Sequence, residues 1–239
     1  GKIVFSETMN NAIKRMNADG TGIVTLATGF NLPMGIAIQT DGKIVVADFN
    51  SNSIKRMNAD GTGIVTLGSG FNKPRGVAIQ DDGKILVADT YNNAVKRMNP
   101  DGTSIVTLVS GINSPMGIAI QTDGKIVVPS STTIKRIDPD GSNIVTLATG
   151  LGYPNKAAIQ ADGKIVIADG INNAIKRMDA DGSNIVTLVS GLNEPTDVAI
   201  QTDGKIVFAD YVNALIKRIS PATTSNRVLV TVQLDTPAI

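Results

Sequence analysis

Apolar and polar residues alternate in short blocks along this chain, with no long amphipathic stretch. In residues 33–67 the apolar blocks are PMGIAIQ (33–39), GKIVVAD (42–48), SIKRM (53–57) and GIVTL (63–67). Each is brief, rich in Ile and Val and bounded by turn residues, which predicts four successive strands. The separators TDGK and NADGT place Asp41-Gly42 and Asp60-Gly61 between strands. Glycine takes the positive φ that a tight hairpin needs, and aspartate caps the turn through its side chain. In the second strand Ile44 and Val46 point to one side while Val45 and Ala47 point to the other, and all four are apolar. Such a strand must be covered on both faces.

The pattern repeats. The lysine of the Gly-Lys pair recurs at Lys2, Lys43, Lys84, Lys125, Lys164 and Lys205, with spacings of 41, 41, 41, 39 and 41. A period near 40 without helical patterning predicts radially stacked sheets, each covered by its neighbours. The expected fold is all-β: a six-bladed β-propeller with four antiparallel strands per blade, forming one domain over residues 1–239. The chain opens on the second strand of blade 1 and ends with Thr236-Pro237-Ala238-Ile239, which resembles the start of an innermost strand. The expectation is a ring closed by pairing of the N- and C-terminal segments. The turn in SPATTSN (220–226) lacks Asp-Gly and is longer than its counterparts.

PMGIAIQTDGKIVVADFNSNSIKRM (33–57) resembles the NHL repeat, with its Pro-x-Gly, Ala-Asp, Asn-rich turn and Arg in order. IKRMDADGSNIVTLVSGLNEPTDVAI (175–200) equally resembles the YWTD repeat, although Val-Val or Val-Ile stands where that family has Tyr-Trp. The resemblance covers nearly the whole chain. It implies a six-bladed propeller, a fold that hosts binding modules and enzymes alike.

Charge narrows the functions. Basic and acidic residues number 22 and 21, so no global field favours nucleic acid. No run of apolar residues is long enough for a membrane-spanning helix. Cysteine and histidine are absent, which removes thiolate chemistry and the commonest general base. The Gly1-Lys2 start, without methionine, reads as a processed or excised product, compatible with a secreted or cell-surface location.

The repeat separates architectural charges from individual ones. Six Gly-Lys lysines and six Lys-Arg pairs occupy 18 of the 22 basic positions, leaving Lys73, Arg75, Lys156 and Arg227. The Lys-Arg pairs are expected to be solvated or snorkelling residues of an outer strand. Glu7, Asp48, Asp89, Asp169 and Asp210 end the second strands, with Ser130 in blade 4. Each of these acids is expected to cap its Asn-rich turn or to pair with the repeat arginine, such as Arg56. DPDGSN (138–143) and DADGSN (179–184) read as hairpin turns, since the further ligands of a calcium loop are missing.

Blade-to-blade differences concentrate in the loops between second and third strands and in those leading to the innermost strands, the usual place for a binding face. The candidate ligand-binding residues there are Arg75, Asn155, Lys156, Glu194, Asp197, Tyr91 and Tyr211. Lys156 and Asp197 replace the glycine two residues after the blade proline and are placed to pair with each other. Phe30, Phe49 and Phe71 are further contact candidates. Three readings compete. The first is a non-catalytic, monomeric binding module presenting this face to a protein, peptide or glycan, without cofactor, metal, nucleic acid or membrane insertion. The second is a gluconolactonase-like hydrolase, for which the resemblance implies a divalent metal in the channel; Asn155 and Asp197 loosely match its ligands, but Lys156 sits beside them. The third is a recently amplified or engineered repeat protein with no evolved ligand.

Overall fold

The computed structural model describes residues 1–220 and the strand 230–233. The chain is an all-β, six-bladed β-propeller. Its first sheet contains Lys2–Glu7, Ala12–Asn17 and Val24–Ala27. Blade 2 is Pro33–Ile38, Ile44–Asp48, Ser53–Met57 and Val65–Ser69; blade 3 is Pro74–Ile79, Ile85–Asp89, Ala94–Met98 and Val106–Ser110. Blades 4 to 6 repeat the plan, starting from innermost strands Ala119–Ile120, Pro154–Ile159 and Pro195–Ile200. Sequential strands pair antiparallel, as the hairpin turns require. The expected closing segment, 236–239, and most of the long turn of blade 6 lie outside the described residues. The first sheet has three strands among those described.

Backbones divide into two compact units, Gly1–Ile118 and Ala119–Ile239. In the first unit, Ile44 and Val46 of blade 2 pack with Ile13, Ala27 and Phe30 of blade 1. Val45 and Ala47 of the same strand pack with Val77, Ile85 and Val87 of blade 3. In the second unit, Ile165 and Ile167 face Val127 and Ile134 of blade 4, while Val166 and Ala168 face Val198 and Phe208 of blade 6. The strand alternation therefore builds a core layer between blades 1 and 2 and blades 2 and 3 of the first unit, and between blades 4 and 5 and blades 5 and 6 of the second. Each fully buried Val, Ile or Met contributes roughly 1.5–3 kcal/mol of hydrophobic free energy. Phe30 and Phe71 are wedges in these layers at 6% and 5% exposure, which removes them as contact candidates.

The Asp-Gly turns behave as hairpins. Gly42 and Gly61 have φ of 82° and 92°. The Asp60 carboxylate accepts hydrogen bonds from the Thr62 N–H (3.0 Å) and hydroxyl (2.7 Å). In DPDGSN the Asp140 and Asp138 carboxylates are likewise engaged by Ser142 and Asn143 of the same turn.

The strand-end acids pair with lysine rather than with the expected arginine. Asp48 is opposite Ser53 in the ladder, so Lys55, two residues further, lies on the same face and Arg56 on the other. Lys55 Nζ is 2.6 Å from the Asp48 carboxylate, and the pattern recurs at Lys96–Asp89, Lys176–Asp169 and Lys217–Asp210. Arg56, turned the other way, donates to the Pro100 carbonyl of the next blade at 3.1 Å. Arg15 does the same to Ala59 and Arg136 to Ala180. The Lys-Arg pairs lie on the third strand of each blade, not the outer one; five of the lysines hold strand-end acids, and Arg15, Arg56 and Arg136 reach the next blade.

Candidate functional site

The buried ion pairs form the floor on which the variable loops rest. In blade 3 the Asp89 carboxylate, fully buried, accepts from the Asn72 N–H (2.6 Å), the Asn92 side-chain amide (2.7 Å) and Lys96 (2.7 Å). Lys96 also donates to the Gly70 carbonyl at 3.1 Å. One carboxylate thus holds the loop entering its blade (70–74) against the loop leaving its second strand. Asp48, Asp169 and Asp210 accept the N–H groups of Asn31, Gly152 and Asn193 in the same way, each at 2.6 Å.

Directly before each blade proline stands a residue with left-handed backbone: Leu32, Lys73, Ser114, Tyr153 and Glu194, with φ between 47° and 56°. The N–H groups of Leu32, Lys73, Ser114 and Glu194 are each held by an asparagine side chain of the preceding blade, at 2.8–2.9 Å. A non-glycine residue in this conformation costs roughly 1–2 kcal/mol, so the frame is imposed by its surroundings. The same left-handed backbone carries an apolar, a basic, a hydroxyl, an aromatic and an acidic side chain.

In the first unit the frame at Lys73 sits in a cation–aromatic cluster. Lys73 Nζ is 5.0 Å from the centre of the Phe49 ring and donates to Asn50 Oδ1 at 2.7 Å. The Arg75 guanidinium lies 5.6 Å from the same ring and donates to the Met116 sulfur at 3.0 Å. Tyr91 meets Phe49 edge to face at 6.2 Å and 86°, with 61% of its surface exposed. Phe49 itself is 9% exposed, so it is a platform for the cations and not a free contact. Close backbone approach brings these groups together. A Cβ on Gly35 would fall 2.6 Å from the Arg75 carbonyl oxygen, and one on Gly76 would fall 2.8 Å from the Gly117 Cα.

The second unit holds the other candidates. Asn155 donates to the Pro195 carbonyl at 3.1 Å and occupies the space left by Gly170, where a Cβ would fall 2.5 Å from its amide nitrogen. Thr8 and Thr90 donate to the Pro33 and Pro115 carbonyls at 2.9 and 2.7 Å. Asn155 is therefore a strut between neighbouring blades. Lys156 is half-buried and Asp197 exposed, and the expected ion pair between them is not formed; the Asp197 carboxylate accepts its neighbour's N–H, that of Val198, at 2.7 Å. Glu194 and Tyr211 are exposed. Sequence reasoning noted Lys73 only as an off-repeat charge and missed its partnership with Phe49, since nothing along the chain pairs residues of adjacent blades.

The two residues that loosely match gluconolactonase ligands, Asn155 and Asp197, each have a protein partner. Asn155 uses its amide nitrogen on the Pro195 carbonyl, and one Asp197 oxygen accepts the Val198 N–H. Among the described residues no group of three or more His, Cys, Asp or Glu side chains gathers to bind an ion.

Comparison with known proteins agrees with the fold. Residues 71–98 match the NHL repeat. No curated protein is significantly similar in sequence. The structure of a nidogen/laminin complex contains a chain that superposes with a TM-score of 0.89 at 20% identity, covering 98% of this chain and 94% of that one. Virginiamycin B lyase from Staphylococcus aureus gives 0.72 at 20% identity, covering 99% and 82%. The gluconolactonase XC5397 from Xanthomonas campestris gives 0.77 at 18% identity, covering 87% and 78%. At these identities the likeness is one of fold, shared by proteins of binding and of enzymatic character.

Proposed function

We propose that this chain is a non-catalytic binding module that presents its variable loops to a protein, peptide or glycan. One observation carries the reading: the charges belonging to the repeat are consumed inside the architecture, whereas several that depart from it are displayed. The strand-end acids of blades 2, 3, 5 and 6 hold loops, the turn aspartates close hairpins, and Arg15, Arg56 and Arg136 reach the next blade. Glu194 and Tyr153 instead stand exposed on left-handed backbone, with Tyr91, Tyr211 and Asp197 exposed at the same end of their blades. Preorganised loops lower the entropic cost of association.

The test is to probe the full chain against peptide and glycan arrays. Retained ligands are then measured with Tyr91→Ala, Lys156→Ala and Asp197→Ala, and with Asp60→Ala and Asp101→Ala on the Asp-Gly turns as controls. Loss confined to the first set supports the assignment. Loss confined to the turn variants, or unchanged binding in all five, overturns it.

A further inference from the structure

Resting on the binding-module reading, we infer that blade 4 carries a recognition site for a carboxylate supplied by a ligand, bound by the Lys135 ammonium and the Thr146 hydroxyl. The other blades supply the reference. In blades 1, 2, 3, 5 and 6 the lysine at this place holds the acid that ends the second strand: Lys14 with Glu7, Lys55 with Asp48, Lys96 with Asp89, Lys176 with Asp169 and Lys217 with Asp210, at 2.6–2.9 Å. Blade 4 has Ser130 instead of the acid. Its register is unchanged, with Val128 opposite Lys135 as Val46 is opposite Lys55, so Ser130 and Lys135 still share one face. The cationic half of the pair is kept and the anionic half is gone.

The ammonium of Lys135 meets no carboxylate among the described residues. It turns to its cross-strand neighbour and donates to the Thr146 hydroxyl oxygen at 3.3 Å. An ammonium has three donors, so two remain for an incoming acid. Thr146 is exposed, and its oxygen accepts from the lysine while its own proton is left to donate. Two donors 3.3 Å apart suit the two oxygens of one carboxylate, and a bond between ionised partners is roughly twice as strong as the neutral one it would supplement. The Ser130 hydroxyl is buried and engaged with that of Thr133 at 3.0 Å, so it does not stand in for the missing acid.

Cover is lost together with the acid. In the other five blades four residues join the second strand to the third. In blades 3, 5 and 6 an asparagine among them closes over the carboxylate: Asn92, Asn172 and Asn213 donate to it at 2.7–3.0 Å. In blade 4 Ser130 pairs with Thr133, which leaves Ser131 and Thr132 in the turn, neither bearing an amide. This shorter turn accounts for the one spacing of 39 in a period of 41. A lysine chosen by the repeat to grip a carboxylate is thus presented to ligands at the loop end of blade 4.

The experiment titrates the full chain with acetate and with a capped peptide containing one glutamate, at fixed ionic strength, following the backbone amides of residues 131–135 and 145–147 by NMR. Saturable shifts are expected with either probe. Lys135→Met should weaken binding about tenfold or more. Ser130→Asp should abolish it and raise the melting midpoint, because the built-in acid takes the ammonium. Lys55→Met, which orphans Asp48, should lower the melting midpoint and leave the blade 4 response intact. Tighter binding of the peptide assigns the carboxylate to a partner chain and equal binding to a free small acid; both uphold the site. A response indifferent to Lys135→Met, one that survives Ser130→Asp, or an equal response to chloride overturns the inference. So does the absence of any carboxylate response, which leaves a binding module standing if the arrays retain another ligand and removes both readings if they retain none.

Discussion

Replacing Asp89 by alanine tests whether the strand-end acids are clamps. Its carboxylate is fully buried and receives three donors, from Asn72, Asn92 and Lys96, at 2.6–2.7 Å. Alanine leaves the Asn72 N–H without its acceptor and Lys96, 16% exposed, without its counter-charge. Breaking a buried pair on one side costs about 3–5 kcal/mol. Total stability of a domain is about 5–15 kcal/mol, so the loss is a large share of it. For a chain of this length each kcal/mol moves the melting midpoint by roughly 2–4 °C, giving an expected fall of roughly 6–20 °C. The residual solvent access of Lys96, 16%, lets water reach its ammonium and favours the lower half of that range. The double variant Asp89→Ala, Lys96→Met removes the orphaned charge and leaves mainly the unsatisfied Asn72 N–H, worth about 1–3 kcal/mol. It should therefore be more stable than Asp89→Ala alone. Urea denaturation of the wild type, both single variants and the double variant closes the cycle. A loss below about 1 kcal/mol in Asp89→Ala, or a double variant no better than the sum of the singles, would refute the clamp.

Two further outcomes follow from the same structure. Burial pushes the Asp210 carboxyl up, but hydrogen bonds from Asn213, Lys217 and the Asn193 N–H outweigh it and hold the group below the ordinary aspartate value of 3.8. A depressed carboxyl stabilises the folded state above its unfolded pKa and loses that contribution as pH falls through the folded value. Stability in urea should thus be level above about pH 5 and decline as acid titrates the clamp, and Asp210→Asn should lose stability at neutral pH and flatten the acid limb; an equally steep limb would count against it. Gly76→Ala, whose added Cβ would collide with the Gly117 backbone, is expected to cost roughly 1–3 kcal/mol, whereas Lys156→Ala at the equivalent place in blade 5 should stay within about 1 kcal/mol. Equal thermal shifts in the two variants would contradict the close approach.

Legibility of the fold and of the site differed for a physical reason. Strands, hairpins and two-sided burial are encoded locally: Ile44, Val45, Val46 and Ala47 declare two covered faces, and Asp41-Gly42 declares the turn between strands. The roles of Lys55 and Arg56 required the register, because a one-residue difference in position sends one side chain to Asp48 and the other to the neighbouring blade. Asn155 looked like a ligand-binding residue because it departs from the repeat. The structure gives it the inter-blade strut that threonine supplies in blades 1 and 3, made possible by Gly170.

What this sequence determined alone is the blade: a short period, repeated six times, whose hydrophobic alternation and glycine turns leave one arrangement for each sheet. What only the tertiary structure decided is which individual side chains meet. Phe49, Lys73, Arg75, Tyr91 and Met116 come from separate loops and strands and converge because neighbouring backbones touch at glycines. Local patterning specifies hydrogen-bonded neighbours within a sheet; contacts across the gap between sheets depend on packing distance, which no stretch of sequence carries by itself.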